Sequence, residues 1–293
     1  MVQKMRSWRR AFARWVVIAA ASYLAVCGIV AWQKEAILFP MHGRERAAGK
    51  SAPAGYETWW QTMRDGARVE GWWLPARGAS AELPAPAVIV FHGNGELIDD
   101  SRDFAEVWHE FGVNVLLAEY RGYGRSEGEP GITSCKGDSV EWFDRVAARP
   151  DVRRETIVAH GFSLGGIFAA ELARERPVAG LALEGTVASL REAARDRHIW
   201  VLFTRERFDA TAVLRGLDAR VPVLLTHGRR DGVVGFRHHG LLAAARPSAR
   251  AVAEDHDHYP LSTQERPDLL RELLGRASAL AGVAGAETGG GAR

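Results

Sequence analysis

A serine, an aspartate and a histidine occupy positions where they could form a nucleophilic triad. Ser163 lies in GFSLG (161–165), a G-x-S-x-G pattern between an apolar run and a segment with helical spacing. A tight strand-to-helix turn of this kind exposes the serine hydroxyl, and its glycines let neighbouring backbone approach. Because a serine hydroxyl is a weak nucleophile without a base, this chemistry also requires a histidine and a carboxylate elsewhere in the chain.

The acid and the base are expected further along the chain, in the order Ser, Asp, His. Asp231 follows the apolar run VPVLLT (221–226), where a carboxylate could orient a histidine. Two histidines, His256 and His258, lie in the segment EDHDHYP (254–260). The length of this loop and the aromatic-Pro step after it favour His258, while His256 stays open. Asp255 and Asp257 could raise the basicity of either ring.

A second stretch, GRSEG (124–128), also matches G-x-S-x-G. It is followed by Glu-Pro-Gly rather than by a helical segment, and no strand ends directly before it. We therefore interpret Ser126 as a surface-loop serine and Ser163 as the candidate nucleophile.

An oxyanion formed at this serine would need two backbone N–H donors. The residue after the nucleophile, Leu164, supplies one of them. The second is predicted at Asn94, in the HGNG loop (92–95) that follows the apolar run AVIVF (87–91). The glycines of that loop permit a close approach of the backbone.

The elements that must position these residues alternate between short apolar runs and helical segments. This pattern predicts an α/β fold with a mostly parallel central sheet and helices on both faces. Two β-rich runs around Arg64-Asp65-Gly66 predict an antiparallel N-terminal hairpin in front of it. The segment 185–220 predicts a small lid, in which Trp200, Val201, Leu202 and Phe203 could line an acyl pocket or dip toward lipid.

An N-terminal run of 18 residues, from Trp15 to Trp32, carries no charge. As a helix it would be about 27 Å long, close to the thickness of a bilayer core. The basic residues before it predict a cytoplasmic N-terminus and a catalytic domain on the extracytoplasmic side, periplasmic in a bacterium. A cleaved signal peptide, including lipoprotein cleavage at Cys27, and a buried helix of a soluble domain remain alternatives.

Length and composition limit the possible domain organisation and the possible partners. The 293 residues divide into a basic segment and transmembrane anchor (1–34), a linker (35–55), a catalytic domain (56–280) and a disordered tail (281–293). The net charge of +2 gives no indication of nucleic-acid binding, and two cysteines do not make a disulfide framework. No histidine or cysteine spacing indicates a metal, and the chemistry requires no cofactor.

Several motifs resemble the membrane-anchored α/β-hydrolase family that includes proteins related to yeast Bem46. The matching pieces, in the family's order, are the hairpin followed by GWWLP (71–75), FHGNGE (91–96), YRGYGRSEG (120–128), GFSLGG (161–166) and HGRRDGVV (227–234). The resemblance implies a cofactor-free hydrolase of esters or thioesters. It carries Ser163, Asp231 and His258 onto the triad and Asn94 and Leu164 onto the oxyanion hole.

Two departures from the family pattern are visible. The family usually has glycine before its histidine, where this chain has Asp257, and often proline where this chain has Gly235.

Taken together, the motifs and the N-terminal run predict a single-pass serine esterase that acts on a small-molecule or lipid ester. A serine peptidase on the same fold and a catalytically inactive membrane scaffold are the alternatives.

Overall fold

The structure is a computed structural model that describes residues 2–44, 51–198 and 208–289. In this part of the chain, eight strands form one sheet in the order β1-β2-β4-β3-β5-β6-β7-β8. The strands are β1 (Glu57–Thr62), β2 (Arg68–Leu74), β3 (Ala85–Phe91), β4 (Asn114–Ala118), β5 (Val152–Phe162), β6 (Gly180–Glu184), β7 (Val223–Gly228) and β8 (Arg250–Glu254).

The sheet is parallel from β4 to β8, and the hairpin of β1 and β2 joins it through an antiparallel pairing of β2 with β4. The turn of this hairpin contains Gly66 at φ +91°, a conformation that favours glycine. The predicted mixed sheet with an antiparallel N-terminal hairpin is thus confirmed.

Helices cover both faces of the sheet. They are α3 (Arg102–Glu110), α4 (Ile132–Ala147), α5 (Gly165–Glu175), α6 (Leu190–Asp196), α7 (Ala210–Gly216), α8 (Arg237–Ala245), α9 (Leu261–Gln264) and α10 (Pro267–Gly289). In β3, Ile89 and Phe91 join the core under α4, α5, α7 and α8, whereas Val88 and Val90 join the core under α3, α9 and α10. Because both faces are covered, the central strands are continuously apolar rather than alternating.

The N-terminal helix α1 (Val2–Trp32) contains a 25-residue stretch, Trp8–Trp32, that is long and apolar enough to cross a membrane. Its large side chains are mostly uncovered by protein, with Trp15 69% and Trp32 81% exposed. The helix is therefore not buried as the core helix of a soluble domain would be. A membrane anchor and a signal sequence both fit it.

The predicted linker 35–55 needs a correction at its start. Helix α2 (Lys34–Leu38) follows α1, and Phe39 is 1% exposed within the core. Its ring lies 6.4 Å from Tyr120 and 6.5 Å from Phe168. Because burial of one aromatic ring contributes several kcal/mol, the packed domain begins before the predicted boundary at residue 56.

Two further predictions concern the lid and the tail. The short helices α6 and α7 lie within the predicted lid, but Trp200, Val201, Leu202 and Phe203 fall outside the described residues. The closing helix α10 continues to Gly289, nine residues into the predicted tail 281–293. The alanine content of this stretch favours helix continuation.

Candidate active site

Ser163 occupies a strained turn between β5 and α5. Its φ is +52°, a conformation that is uncommon for a residue with a side chain. A Cβ at Gly165 would lie 2.0 Å from the carbonyl oxygen of Phe91, and one at Gly161 would lie 2.3 Å from the carbonyl oxygen of Gly165. Only glycine fits these two positions, so the turn is held tightly against the end of β3.

Ser163, His258 and Asp231 form a continuous hydrogen-bonded chain. The distance from Ser163 Oγ to His258 Nε2 is 2.9 Å, and from His258 Nδ1 to Asp231 Oδ2 it is 2.6 Å. The His258 ring also packs against Phe162, with 5.0 Å between the ring centroids. With an ionised Asp231 accepting the Nδ1 proton, the lone pair on Nε2 faces the serine hydroxyl, which is the arrangement of a nucleophile with its general base.

The Asp231 carboxylate is anchored from two sides. Its Oδ1 accepts the N–H groups of Val233 and Val234 at 2.8 Å each, while its Oδ2 faces His227 at 3.3 Å as well as His258. Burial raises the pKa of Asp231, but these hydrogen bonds outweigh burial and hold the pKa well below its usual range. The carboxylate therefore stays ionised and fixed in orientation.

The two candidate histidines have different surroundings. His256 Nδ1 lies 2.7 Å from the carbonyl oxygen of Asp257, and its ring packs on Tyr259 at 4.3 Å. Its Nε2 has no hydrogen-bond partner within the described ranges. The structure thus brings His258, and not His256, to Ser163.

The two aspartates beside these histidines lie at the surface. The side chains of Asp255 and Asp257 are 73% and 77% exposed, and Arg230 Nε lies 3.2 Å from Asp255 and 3.9 Å from Asp257. Solvent screens such exposed charges strongly. The structure gives no support to the idea that they raise the basicity of the base.

The HGNG loop lies against the nucleophile turn, as the close approach of Gly165 to the end of β3 requires. Neither Asn94 N–H nor Leu164 N–H has a hydrogen-bond partner among the residues described. The loop is held by the Tyr120 hydroxyl, which donates to the His92 carbonyl at 2.6 Å, and by the Tyr123 hydroxyl, which donates to the Asn94 carbonyl at 3.0 Å. These two N–H groups are therefore the candidate oxyanion donors, one on the turn of Ser163 and one on the loop that packs against it.

These tyrosines and a buried carboxylate are supporting residues that sequence reasoning missed. Glu119 Oε1 lies 2.9 Å from His92 Nε2, and both side chains are almost completely buried. The signal was the YRGYGRSEG stretch (120–128), which matches the family and whose Ser126 we interpreted as a surface-loop serine, without assigning roles to its tyrosines. Hydroxyl contacts to backbone carbonyls cannot be derived from spacing alone.

Ser126, in the second G-x-S-x-G stretch, has a structural setting. Its Oγ accepts the N–H of Glu70 at 3.0 Å, which ties the loop to β2. The neighbouring Arg125 pairs with the buried Glu70 carboxylate, and Arg121 pairs with Asp138. These contacts fix the loop, and in the described part of the chain no histidine hydrogen-bonds to Ser126.

No group of three or more histidine, cysteine, aspartate or glutamate side chains in the described ranges could hold a metal ion.

Comparison with known proteins agrees with this fold. A family model described as serine aminopeptidase, S33, of the Hydrolase_4 family, matches residues 83–208. An uncharacterised protein of Mycobacterium tuberculosis is 30% identical over 222 residues, covering 74% of this chain and 78% of its own length. Protein bem46 of Schizosaccharomyces pombe is 26% identical over 227 residues, covering 73% of this chain and 75% of its own length.

The chain belongs to the α/β-hydrolase family that includes Bem46. The solved Pyrococcus furiosus esterase Pf2001 has the same fold, with a TM-score of 0.60 and 20% identity over 81% of this chain and 96% of its own. The expected family resemblance is confirmed. The segment matched by the family model includes the HGNG loop and Ser163, while Asp231 and His258 of this α/β hydrolase lie beyond it.

Proposed function

We propose that the chain is a serine hydrolase that cleaves carboxylic esters through an acyl-serine intermediate. The observation that carries this proposal is the hydrogen-bonded chain from Ser163 through His258 to Asp231, at 2.9 Å and 2.6 Å, with the serine on a strained turn. Nucleophile, base and orienting carboxylate are thus already aligned before substrate arrives.

In the proposed reaction, Ser163 Oγ attacks the ester carbonyl carbon while His258 Nε2 accepts the hydroxyl proton. Asp231 holds the ring and stabilises the imidazolium that forms. The negative charge on the former carbonyl oxygen is bound by the N–H groups of Asn94 and Leu164. His258 then protonates the leaving alcohol, and a water molecule, deprotonated by the same ring, hydrolyses the acyl-serine and regenerates the enzyme.

The charge of a cavity next to the Asp231 loop supports an ester over a free amino terminus as the substrate, and Ser163 and His258 are not among its described lining residues. A cavity of about 830 Å³ lies beside the loop that carries Asp231. Its described lining contains three arginines, Arg195, Arg197 and Arg237, against one carboxylate, Asp196, which already pairs with Arg237 at 2.7 Å. A site that bound a protonated amine in this cavity would need an unpaired carboxylate.

Serine peptidase activity is the second candidate, and the description of the matching family model supports it. Aminoacyl p-nitroanilides and acyl p-nitrophenyl esters separate the two. We expect hydrolysis of the esters, neutral or anionic, and little hydrolysis of the anilides.

We further propose that α1 anchors the enzyme in a membrane, with the N-terminus in the cytoplasm, and that the substrate is a lipid or acylated ester. The support for an anchor is the stretch Trp8–Trp32 of α1, which is long and apolar enough to cross a membrane and is mostly uncovered by protein. Cysteine-accessibility mapping of the catalytic domain in intact cells tests the orientation. Labelling from the cytoplasmic side alone would overturn it.

The nucleophile is tested by labelling the purified full chain with a fluorophosphonate probe. We expect label on wild type and on Ser126→Ala, and none on Ser163→Ala. Ser126 is a matched control, since both serines lie in G-x-S-x-G. If folded wild type takes no label, or Ser163→Ala labels equally well, the triad is wrong and an inactive scaffold becomes the better explanation.

The base is tested with the two histidines of the same loop. His258→Ala should slow labelling by at least about a thousandfold, because the serine loses its proton acceptor. His256→Ala should keep most of the wild-type rate, since its ring packs on Tyr259 and Gly228 and has no hydrogen bond to Ser163. The reverse result would assign the base to His256.

A further inference from the structure

A buried carboxylate lies directly behind the proposed site. Glu184, the last residue of β6, is 0% exposed. It accepts hydrogen bonds from His160 Nε2 at 2.6 Å, from Thr226 Oγ1 at 2.7 Å and from Ser262 N at 3.0 Å, and also contacts Ser262 Oγ. A carboxylate this deep is tolerated only because donors surround it.

His160 donates a hydrogen bond to the Glu184 carboxylate. Trp108 Nε1 lies 3.0 Å from His160 Nδ1, and an indole N–H can only donate. The Nδ1 atom therefore carries the lone pair, and the proton of the neutral ring lies on Nε2, facing Glu184. The carboxylate is thus fixed from the α3 side of the sheet by a ring that is itself fixed.

The backbone around Glu184 holds both sides of Ser163. The Ser163 N–H donates to the Glu184 carbonyl at 2.8 Å, and the Thr186 hydroxyl donates to the Ser163 carbonyl at 2.7 Å. A displacement of the 184–186 segment would therefore move the serine with it.

The same segment also reaches the histidine. Ser262, which the Glu184 carboxylate holds through N–H and hydroxyl, lies four residues after His258. Gly185 lies against the His258 ring, since a Cβ there would be 3.3 Å from Cε1 and 3.4 Å from Nδ1. Glu184 and Gly185 thus contact both the turn of Ser163, which gives up the proton, and the segment of His258, which accepts it.

We propose that Glu184 is a positioning residue, which sets the separation of Ser163 Oγ and His258 Nε2 by tying the nucleophile turn to the segment after the histidine. The inference rests on the proposed function. A misplacement of about 1 Å between reacting groups can cost about a hundredfold in rate. Loss of the tether should therefore lower kcat more than it raises KM.

The decisive comparison uses two hydroxyls that contact the same carboxylate. Ser262→Ala removes a donor on the histidine segment, whereas Thr226→Val removes a donor on β7 and leaves the backbone hydrogen bond from Gly185 N–H to the Thr226 carbonyl in place. Each deletes one buried hydrogen bond and should lower stability by a similar amount. Only Ser262→Ala should lower kcat, by about tenfold, when rates are expressed per active site titrated with fluorophosphonate.

The measurement is hydrolysis of p-nitrophenyl butyrate by the full chain in detergent, with Tm recorded for each variant. Glu184→Ala should lose about a hundredfold in kcat, and Glu184→Gln, which keeps one acceptor oxygen, should fall between Glu184→Ala and wild type. If wild type is active through Ser163 but Ser262→Ala and Thr226→Val have equal kcat, the positioning role is overturned and the proposed function stands. If wild type lacks Ser163-dependent activity, both are overturned.

Discussion

Replacing Asp231 with asparagine should convert the proposed base into a hydrogen-bond donor. The Oδ1 atom of Asp231 accepts two N–H groups, from Val233 and Val234, at 2.8 Å each. An asparagine must place its carbonyl oxygen there, because its NH₂ group would oppose two donors. The NH₂ group then faces His258 Nδ1 and donates to it. The remaining ring proton moves to Nε2, where it points at the hydroxyl of Ser163.

The size of the effect follows from this reversal. In the Asp231→Asn variant the dominant tautomer has no lone pair for the serine proton. The imidazolium of the transition state also loses a carboxylate that lies 2.6 Å away in a buried position. The same change in a serine-protease triad lowers kcat about 10⁴-fold. We expect a loss of about 10³ to 10⁴ in kcat/KM, which corresponds to about 4 to 5.5 kcal/mol of transition-state stabilisation.

The assay is hydrolysis of p-nitrophenyl butyrate, with circular dichroism and Tm to verify folding. Asp257→Asn is the matched control, because it makes the same chemical change next to His258 at an exposed carboxylate. We expect the control to stay within about twofold of wild type. A folded Asp231→Asn variant with more than a tenth of wild-type kcat/KM would refute the tautomer argument.

Four other predictions test the surrounding structure. Gly165→Ala should abolish activity and destabilise the fold, since its Cβ would meet a carbonyl oxygen at 2.0 Å; wild-type Tm and rate would contradict this. Burial, then the charges of His227 and Arg229, lower the pKa of His239 to about 4. The unfolded chain therefore binds the extra proton first as pH falls from about 6.5 to 4, and stability is lost over that range. In urea titrations over this pH range, the free energy of unfolding of His239→Gln should fall by about 1–3 kcal/mol less than that of wild type. A variant with the wild-type pH dependence would contradict the role of His239. Removing residues 1–32 should release an active enzyme from the membrane fraction. Phe39→Ala should lower the free energy of unfolding in urea by about 3–5 kcal/mol. A Phe39→Ala variant as stable as wild type would contradict the packing of Phe39.

The fold was predictable because its main signals are local. Each buried strand is a short apolar run bounded by glycine or proline, and the longer helices carry apolar residues at helical spacing. The short helices α6, α7 and α9 were missed, since four to seven residues do not establish a period. The packing of Phe39 was also missed, because its partners Tyr120 and Phe168 lie far along the chain.

The positions of the candidate site residues were predictable for a topological reason. Parallel strands bring their carboxyl ends to one edge of the sheet, so residues after β3, β5, β7 and β8 meet there whatever their separation in sequence. The choice between His256 and His258 could not be made this way. Two residues of difference in one loop decide which ring faces Ser163, and that depends on contacts such as the one between His258 and Phe162.

The polar support beneath the site follows one plan on both sides of the nucleophile. His92, after β3, pairs with Glu119, after β4, and His160 of β5 pairs with Glu184 of β6, each across neighbouring strands. Replacing a buried ionisable pair by apolar residues is often neutral or stabilising, so stability alone does not explain two such pairs. Each instead fixes one proposed reacting segment. The first holds the loop of the Asn94 donor, and the second holds the turn of Ser163. Their directional hydrogen bonds set atomic positions that apolar packing would leave looser, and this connects the buried charges to the geometry that the proposed chemistry requires.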